Sequence, residues 1–353
     1  MASTTQTASE IANRRTIRAS YAASSARFDL LMAALSALFL GGLWVDGWAH
    51  FHGRVDGSFF TPWHLVFYSA FAISALTLGA KLWRGISDGH AFARALPKGY
   101  GLSLAGIVIF GLGGVGDMVW HTLFGIEGGT EALLSPTHIM LGIGMALVYT
   151  GPIRSAWSRA SDGETLAGWR ALAPMLIGAT LFLSLLMFLT SYAHPLTAPM
   201  AHEPIGRGGI QQDFGVTAIL LESGLLAAIV GVLLYRWRLP VGAVSLMAFV
   251  SAALLTILVD SYPFLPALAV ALLIVEGALY WLKPSRERPV AFIISLALIP
   301  ALVYTAYFLA IDAVAGRVYW SVHVWTGAIV LAGVVGALIG WAIVAADHGA
   351  ESK

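Results

Sequence analysis

Ten apolar runs, near 30–50, 60–82, 101–123, 136–153, 171–193, 214–235, 241–261, 264–282, 290–312 and 321–345, leave this chain little choice of fold. Each approaches the roughly 20 residues that a helix needs to cross a hydrocarbon core of about 30 Å. In lipid every backbone N–H and C=O must be satisfied internally, which a helix achieves within one segment. The chain is therefore read as all-α, a polytopic transmembrane helix bundle of about ten spans. The seventh and eighth runs are separated only by residues 261–264, around Pro263. With 58% hydrophobic and 11% charged residues in 353, an ordinary soluble domain is excluded. Cysteine is absent, which removes disulfides, iron–sulfur clusters and thiolate metal sites. No basic stripe with interleaved aromatics points to nucleic acid, so the partner that the composition implies is the lipid bilayer.

Cytoplasmic loops gather Lys and Arg, and this fixes an expected orientation. With the N-terminus inside, seventeen of the 20 Lys and Arg fall on inner segments, and only Arg54, Arg207 and Arg317 fall on outer loops. An odd number of spans would scramble that partition, so both termini are expected in the cytoplasm of a bacterial-type inner (plasma) membrane. Residues 1–28 are polar, carry Arg14, Arg15, Arg18 and Arg27, and lack the apolar core of a signal peptide. They read as a cytoplasmic tail, followed by a single transmembrane domain over 29–346 and a short C-terminal tail over 347–353. The 12 tryptophans divide evenly between the two faces, as interfacial belts do.

This topology collects the histidines on one side. His50, His52, His64, His121, His138, His194, His202 and His323 are outer, and only His90 and His348 are inner. Asp46, Asp117, Asp260 and Asp312 each fall near the outer end of an odd-numbered span. The chain thus reads as five hairpins opening outward, ligand-rich over 29–82 and 100–153 and degenerate over 171–346. The first two share a pattern: Asp46, three residues, His50, a Gly-containing turn, Pro62 and His64; then Asp117, three residues, His121, a Gly-containing turn, Pro136 and His138.

Positions four apart on a helix lie on one face, one turn apart. Asp46 with His50, and Asp117 with His121, can each meet a histidine at the start of the returning helix. Two imidazoles and a carboxylate with open positions suit copper, zinc or non-haem iron; the oxygen-rich cage of magnesium or calcium is missing. Two such sets make either two sites or one shared site. His52, His194, His202 and His323 are read as supporting partners or loop residues.

Glu222 and Glu276 fall inside apolar runs, where a carboxyl is either hydrogen-bonded within the bundle or part of a proton or ion path. The glycines before Asp117 and after His138 read as close helix packing. No phosphate-binding loop, nucleophile elbow or Schiff-base lysine is present.

The spacing of Asp46, His50 and His64 resembles the copper-site pattern in the C subunit of copper membrane monooxygenases, where an Asp and two His from transmembrane helices bind copper. The resemblance covers about 20 of the 353 residues, or about 40 with Asp117, His121 and His138. Ten spans exceed what that subunit has, and sixteen residues, not thirteen, separate His121 from His138. DMVWHTLFGIE with LSPTH also looks like multi-pass bacterial membrane proteins of no established activity. The resemblance implies copper. Two functions follow as expectations: a copper or iron oxidoreductase acting on an apolar small molecule near the outer face, or a metal or ion carrier in which the outer histidines capture the ion and Glu222 and Glu276 continue inward. A structural subunit of a membrane complex is the third reading.

Overall fold

The computed structural model describes residues 13, 16–54, 60–125, 129–198, 200–202 and 209–351. Residues 1–12, 14 and 15 of the polar tail, and Arg207 and Lys353 of the charge tally, lie outside the described residues.

The protein is an all-α, multi-pass helical bundle. Its helices follow the ten apolar runs: α1 (Ala26–Phe51), α2 (Pro62–Ser87), α3 (Gly101–Phe124), α4 (Pro136–Ser161), α5 (Gly168–Leu189), α6 (Ile210–Arg236), α7 (Ala243–Leu258), α8 (Tyr262–Leu282), α9 (Pro289–Ala315) and α10 (Val322–Glu351). Among the described residues, nine are long and apolar enough to span a membrane. The exception is α7, at 16 residues. The apolar run suggests a longer span, but Gly242 in the left-handed region (φ +87°) delays the start, and Asp260 (φ 54°) lies in the turn that follows. The helix rises about 24 Å. A cavity of about 410 Å³ beside Pro240 and Glu276 lies at its start, and one of about 380 Å³ beside His202 and Asp260 lies at its end.

The most extensive helix pairs are α3–α4 and α9–α10, followed by α1–α2 and α6–α10. Glycine permits close approach. A Cβ on Gly106 would stand 2.6 Å from the Gly144 carbonyl oxygen, and one on Gly336 would collide with the Leu296 carbonyl. The middle of the chain packs differently: α5 lies against α1, α4 and α7, while α6 lies mainly against α10. Leu172, Leu183 and Leu185 of α5 are fully buried.

At the end of α1 remote from its histidine, Asp29 is buried and accepts hydrogen bonds from Tyr100 (2.8 Å) and Arg159 (3.0 Å). Arg159 also pairs with Glu164, whose carboxyl it holds below the usual carboxylate range. Nearby, Arg154 donates to the carbonyls of Gly99 and Leu147 and to the hydroxyls of Ser103 and Thr150, bridging the break at Thr150 within α4.

Candidate metal centre

Both ligand-rich hairpins are assembled by the same local devices. In the first, Thr61 caps α2 by accepting the His64 N–H (3.1 Å), and Pro62 occupies the first helical turn, where its missing N–H costs nothing. His64 is thereby held in the opening turn of the returning helix. Gly42, one turn before Asp46, lets α2 approach: a Cβ there would stand 2.7 Å from Phe67 Cα. His64 Nε2 comes to 3.4 Å from Asp46 Oδ1, and His50 Nε2 to 3.9 Å from Asp46 Oδ2.

The second hairpin repeats this geometry. Ser135 accepts the His138 N–H (3.4 Å), Pro136 follows it, and Gly113, again one turn before the aspartate, faces Leu141 and Met140. A one-turn helix, Glu131–Leu134, lies in the longer connection. His138 Nε2 lies 3.2 Å and His121 Nε2 3.5 Å from Asp117 Oδ1. Within each set of three residues, one ligand atom per residue falls within 4.8 Å of the others.

Hydrogen bonding shows what these atoms present. His121 Nδ1 lies 3.2 Å from the Gly125 carbonyl oxygen, which can only accept, so Nδ1 carries the proton. In the neutral ring Nε2 then turns a lone pair toward the buried Asp117 carboxylate. Such an arrangement repels itself unless a proton or a cation lies between, and a distal N–H on a carbonyl is the usual support of a metal-binding imidazole. His138 Nδ1 is held by Ser135 Oγ at 2.6 Å, a hydroxyl that can either donate or accept. A tetrahedral ion with bonds of about 2.1 Å places its ligands about 3.4 Å apart, and the spacings of 3.2–3.9 Å bracket that value.

The two sets differ in one donor. Thr137 Oγ1 donates to Asp117 Oδ1 (2.9 Å), whereas Trp63, at the equivalent position of the first hairpin, donates to the Arg54 carbonyl. Asp46 Oδ1 is buried and has no hydrogen bond.

A single cavity of about 330 Å³ is lined by Asp46, His50, His64, Asp117 and His138. His121 stands against His138, with ring centroids 5.5 Å apart. The remaining wall is mostly apolar and aromatic, and includes Phe67, Tyr68, Met145 and Phe188. Compared with protein-family models, curated proteins and solved structures, the chain has no match.

Other histidines and acids have separate places. His52 bonds through Nδ1 to the Trp48 carbonyl (2.8 Å) and through Nε2 to Asp260 (3.0 Å), tying the mouth of the first hairpin to the α7–α8 turn. His194 is buried against Glu222 and belongs to neither ligand set. His202 lines the cavity at the end of α7, and His323 and Asp312 are exposed. Glu276 accepts from the Gly242 N–H (2.6 Å) and Ser245 Oγ (2.9 Å), so it serves the start of α7, where a carboxylate is favoured by the helix dipole. Glu222 and Glu276 line different cavities.

The residues that build the sites beyond the ligands themselves are Gly42, Gly113, Thr61, Ser135 and Thr137. Their signal is a glycine four residues before each aspartate and a Thr/Ser-Pro-x-His tetrad, since Ser or Thr before Pro marks a helix start. Tyr68, one turn after His64, lines the cavity and packs on its ring at 5.9 Å.

The His52–Asp260 contact gives a pH prediction. Its hydrogen bond raises the pKa of His52 above 6.5 and lowers that of Asp260 below 3.8. The histidine contribution is complete below pH 6.5 and is lost as pH rises through the raised value; the aspartate contribution is lost as pH falls through the lowered one. Asp260→Asn is expected to be less heat-stable than wild type at pH 5–6 and to converge with it in alkaline buffer. A gap unchanged by pH would refute the ion pair.

Gly47 adjoins Asp46, and a Cβ there would stand 2.6 Å from the Phe188 ring, which is held by Trp44 at 5.0 Å between ring centroids. Gly47→Ala is expected to destabilise the protein by about 1–3 kcal/mol through overpacking and to push Phe188 into the cavity. Thermal unfolding together with a structure of the variant checks this; unchanged stability and an unmoved ring would contradict it.

Proposed function

We propose that the protein is an integral membrane metalloprotein, with one metal held by Asp46, His50 and His64 and a second by Asp117, His121 and His138, and that it acts as an oxidoreductase on a small apolar molecule entering from lipid. The observation that carries this reading is the confrontation of buried carboxylate oxygens with imidazole nitrogens across gaps of metal-ligand size, doubled in one chain. Copper is the proposed metal, on the resemblance of the Asp/His spacing, with iron and zinc as alternatives. When bound, copper or iron supplies one-electron chemistry and an open coordination position. The chain supplies orientation through Thr61, Ser135, Thr137 and the Gly125 carbonyl, and exclusion of water through Phe67, Met145 and Phe188. The cavity is proposed to open at the extracytoplasmic face.

A carrier has less support, because Glu276 is occupied with the start of α7 and faces a different cavity from Glu222. Elemental analysis of protein purified without a chelating tag tests the proposal. Close to two copper or iron ions per chain is the expected result. Absence of bound metal, with no uptake on reconstitution, would overturn it.

A further inference from the structure

Beyond the last turn of α5 from the ligand sets lies a smaller buried site with the opposite hydrogen-bond polarity. After Leu189 the chain turns inward. Ser261 Oγ donates to the Leu196 carbonyl (2.8 Å), and the Tyr319 N–H donates to the Ala201 carbonyl (2.8 Å), pinning the segment between helices. His194 is thereby brought to Glu222 of α6, with Nε2 3.8 Å from Oε2. The two residues are 3% and 2% exposed. Thr190 Oγ1 donates to Glu222 Oε1 (2.6 Å), but Glu222 Oε2 and His194 Nε2 are buried without a hydrogen bond. A cavity of about 50 Å³ adjoins both, walled mainly by apolar and aromatic side chains.

The tautomer is fixed by the backbone. The Leu196 N–H donates to His194 Nδ1 (3.1 Å), so in the neutral ring the proton is on Nε2. Burial holds His194 near pKa 3, which keeps the ring neutral. Nε2 therefore offers a donor to the cavity and has no lone pair for a metal, in contrast to His121. The occupant must accept from Nε2–H and donate to, or exchange a proton with, a carboxyl. A water takes about 30 Å³ of liquid volume, so the cavity has room for one. Leaving two buried polar atoms unpaired is more costly than immobilising one water that pairs both.

We propose that this cavity is a buried water-binding site, in which a water bridges His194 Nε2–H and the Glu222 carboxyl. The titratable groups facing it are His194, Glu222, Tyr304 and Tyr307, and no Lys, Arg or Asp lines it among the described residues. The site stands independently of metal binding.

A structure at a resolution that shows ordered water is expected to place one within about 2.7–3.2 Å of both His194 Nε2 and Glu222 Oε2. Glu222→Gln should retain it, and Glu222→Met should lose it. With 15N-histidine labelling, the resonance pair that disappears in His194→Gln should show an unprotonated Nδ1 and a protonated Nε2. An empty cavity in a map resolving water elsewhere, a metal ion there, a direct N–O hydrogen bond that closes the gap, water persisting in Glu222→Met, or the reversed tautomer would each overturn the proposal.

Discussion

Asp117→Ala is expected to halve the bound metal of untagged protein, from two ions per chain to one, and Asp46→Ala to remove the other. Each carboxylate lies between two imidazoles of its own hairpin, at 3.2 and 3.5 Å for Asp117 and at 3.4 and 3.9 Å for Asp46. Its removal takes the only acid from that set and leaves the other intact. The hydroxyl of Thr137 offers a finer cut. It donates to Asp117 and has no equivalent at Asp46, so Thr137→Val should weaken one ion by about 10–100-fold, the usual effect of losing a group that orients a ligand. Competition with a chelator, followed by elemental analysis, reads both effects. Loss of both ions in either aspartate variant would mean one shared centre, and retention of both would dismiss the assignment. At metal concentrations 100 times Kd, loading should stabilise the fold by about 2.7 kcal/mol per site.

Arg159→Met is expected to destabilise the bundle by about 3–5 kcal/mol, the range for breaking a buried ion pair from one side. Asp29 is 1% exposed, and Arg159 is its one cationic partner among the described contacts; Tyr100 gives a hydrogen bond without charge. Removing the guanidinium strands a carboxylate that cannot reach water. The double variant Asp29→Asn with Arg159→Met should recover much of the loss, because no charge then remains unpaired. Thermal unfolding of the four proteins in one detergent closes the cycle. Additive losses would mean that the two residues are not coupled.

The helical architecture was readable from hydrophobic run length alone, because lipid leaves the backbone few alternatives. Nine spans follow directly from it, and the two ligand sets from the spacing of Asp and His on the hairpins. The shortness of α7 was not readable: Val259 and Leu258 are as apolar as their neighbours, and Asp260 ends the helix through a backbone conformation that hydropathy does not encode. The meeting of both ligand sets at one cavity was also hidden, since it depends on how α1–α2 and α3–α4 lie against each other and against Phe188 of α5. Glu276 shows the same limit. Position along a span suggested an intramembrane path, while the tertiary structure uses its carboxylate at the start of another helix. His194 was visible as an outer histidine, but nothing local revealed that its connecting segment turns inward to Glu222.

The shortness of α7 has an electrical consequence. A helix rising about 24 Å is shorter than a hydrocarbon core of about 30 Å, and it is flanked at its two ends by cavities of about 410 and 380 Å³ beside Glu276 and Asp260. Water entering those cavities would make this part of the protein its thinnest insulator. The transmembrane voltage would then fall over less distance along α7 than along its neighbours, concentrating the field in the region that contains Glu222 and His194.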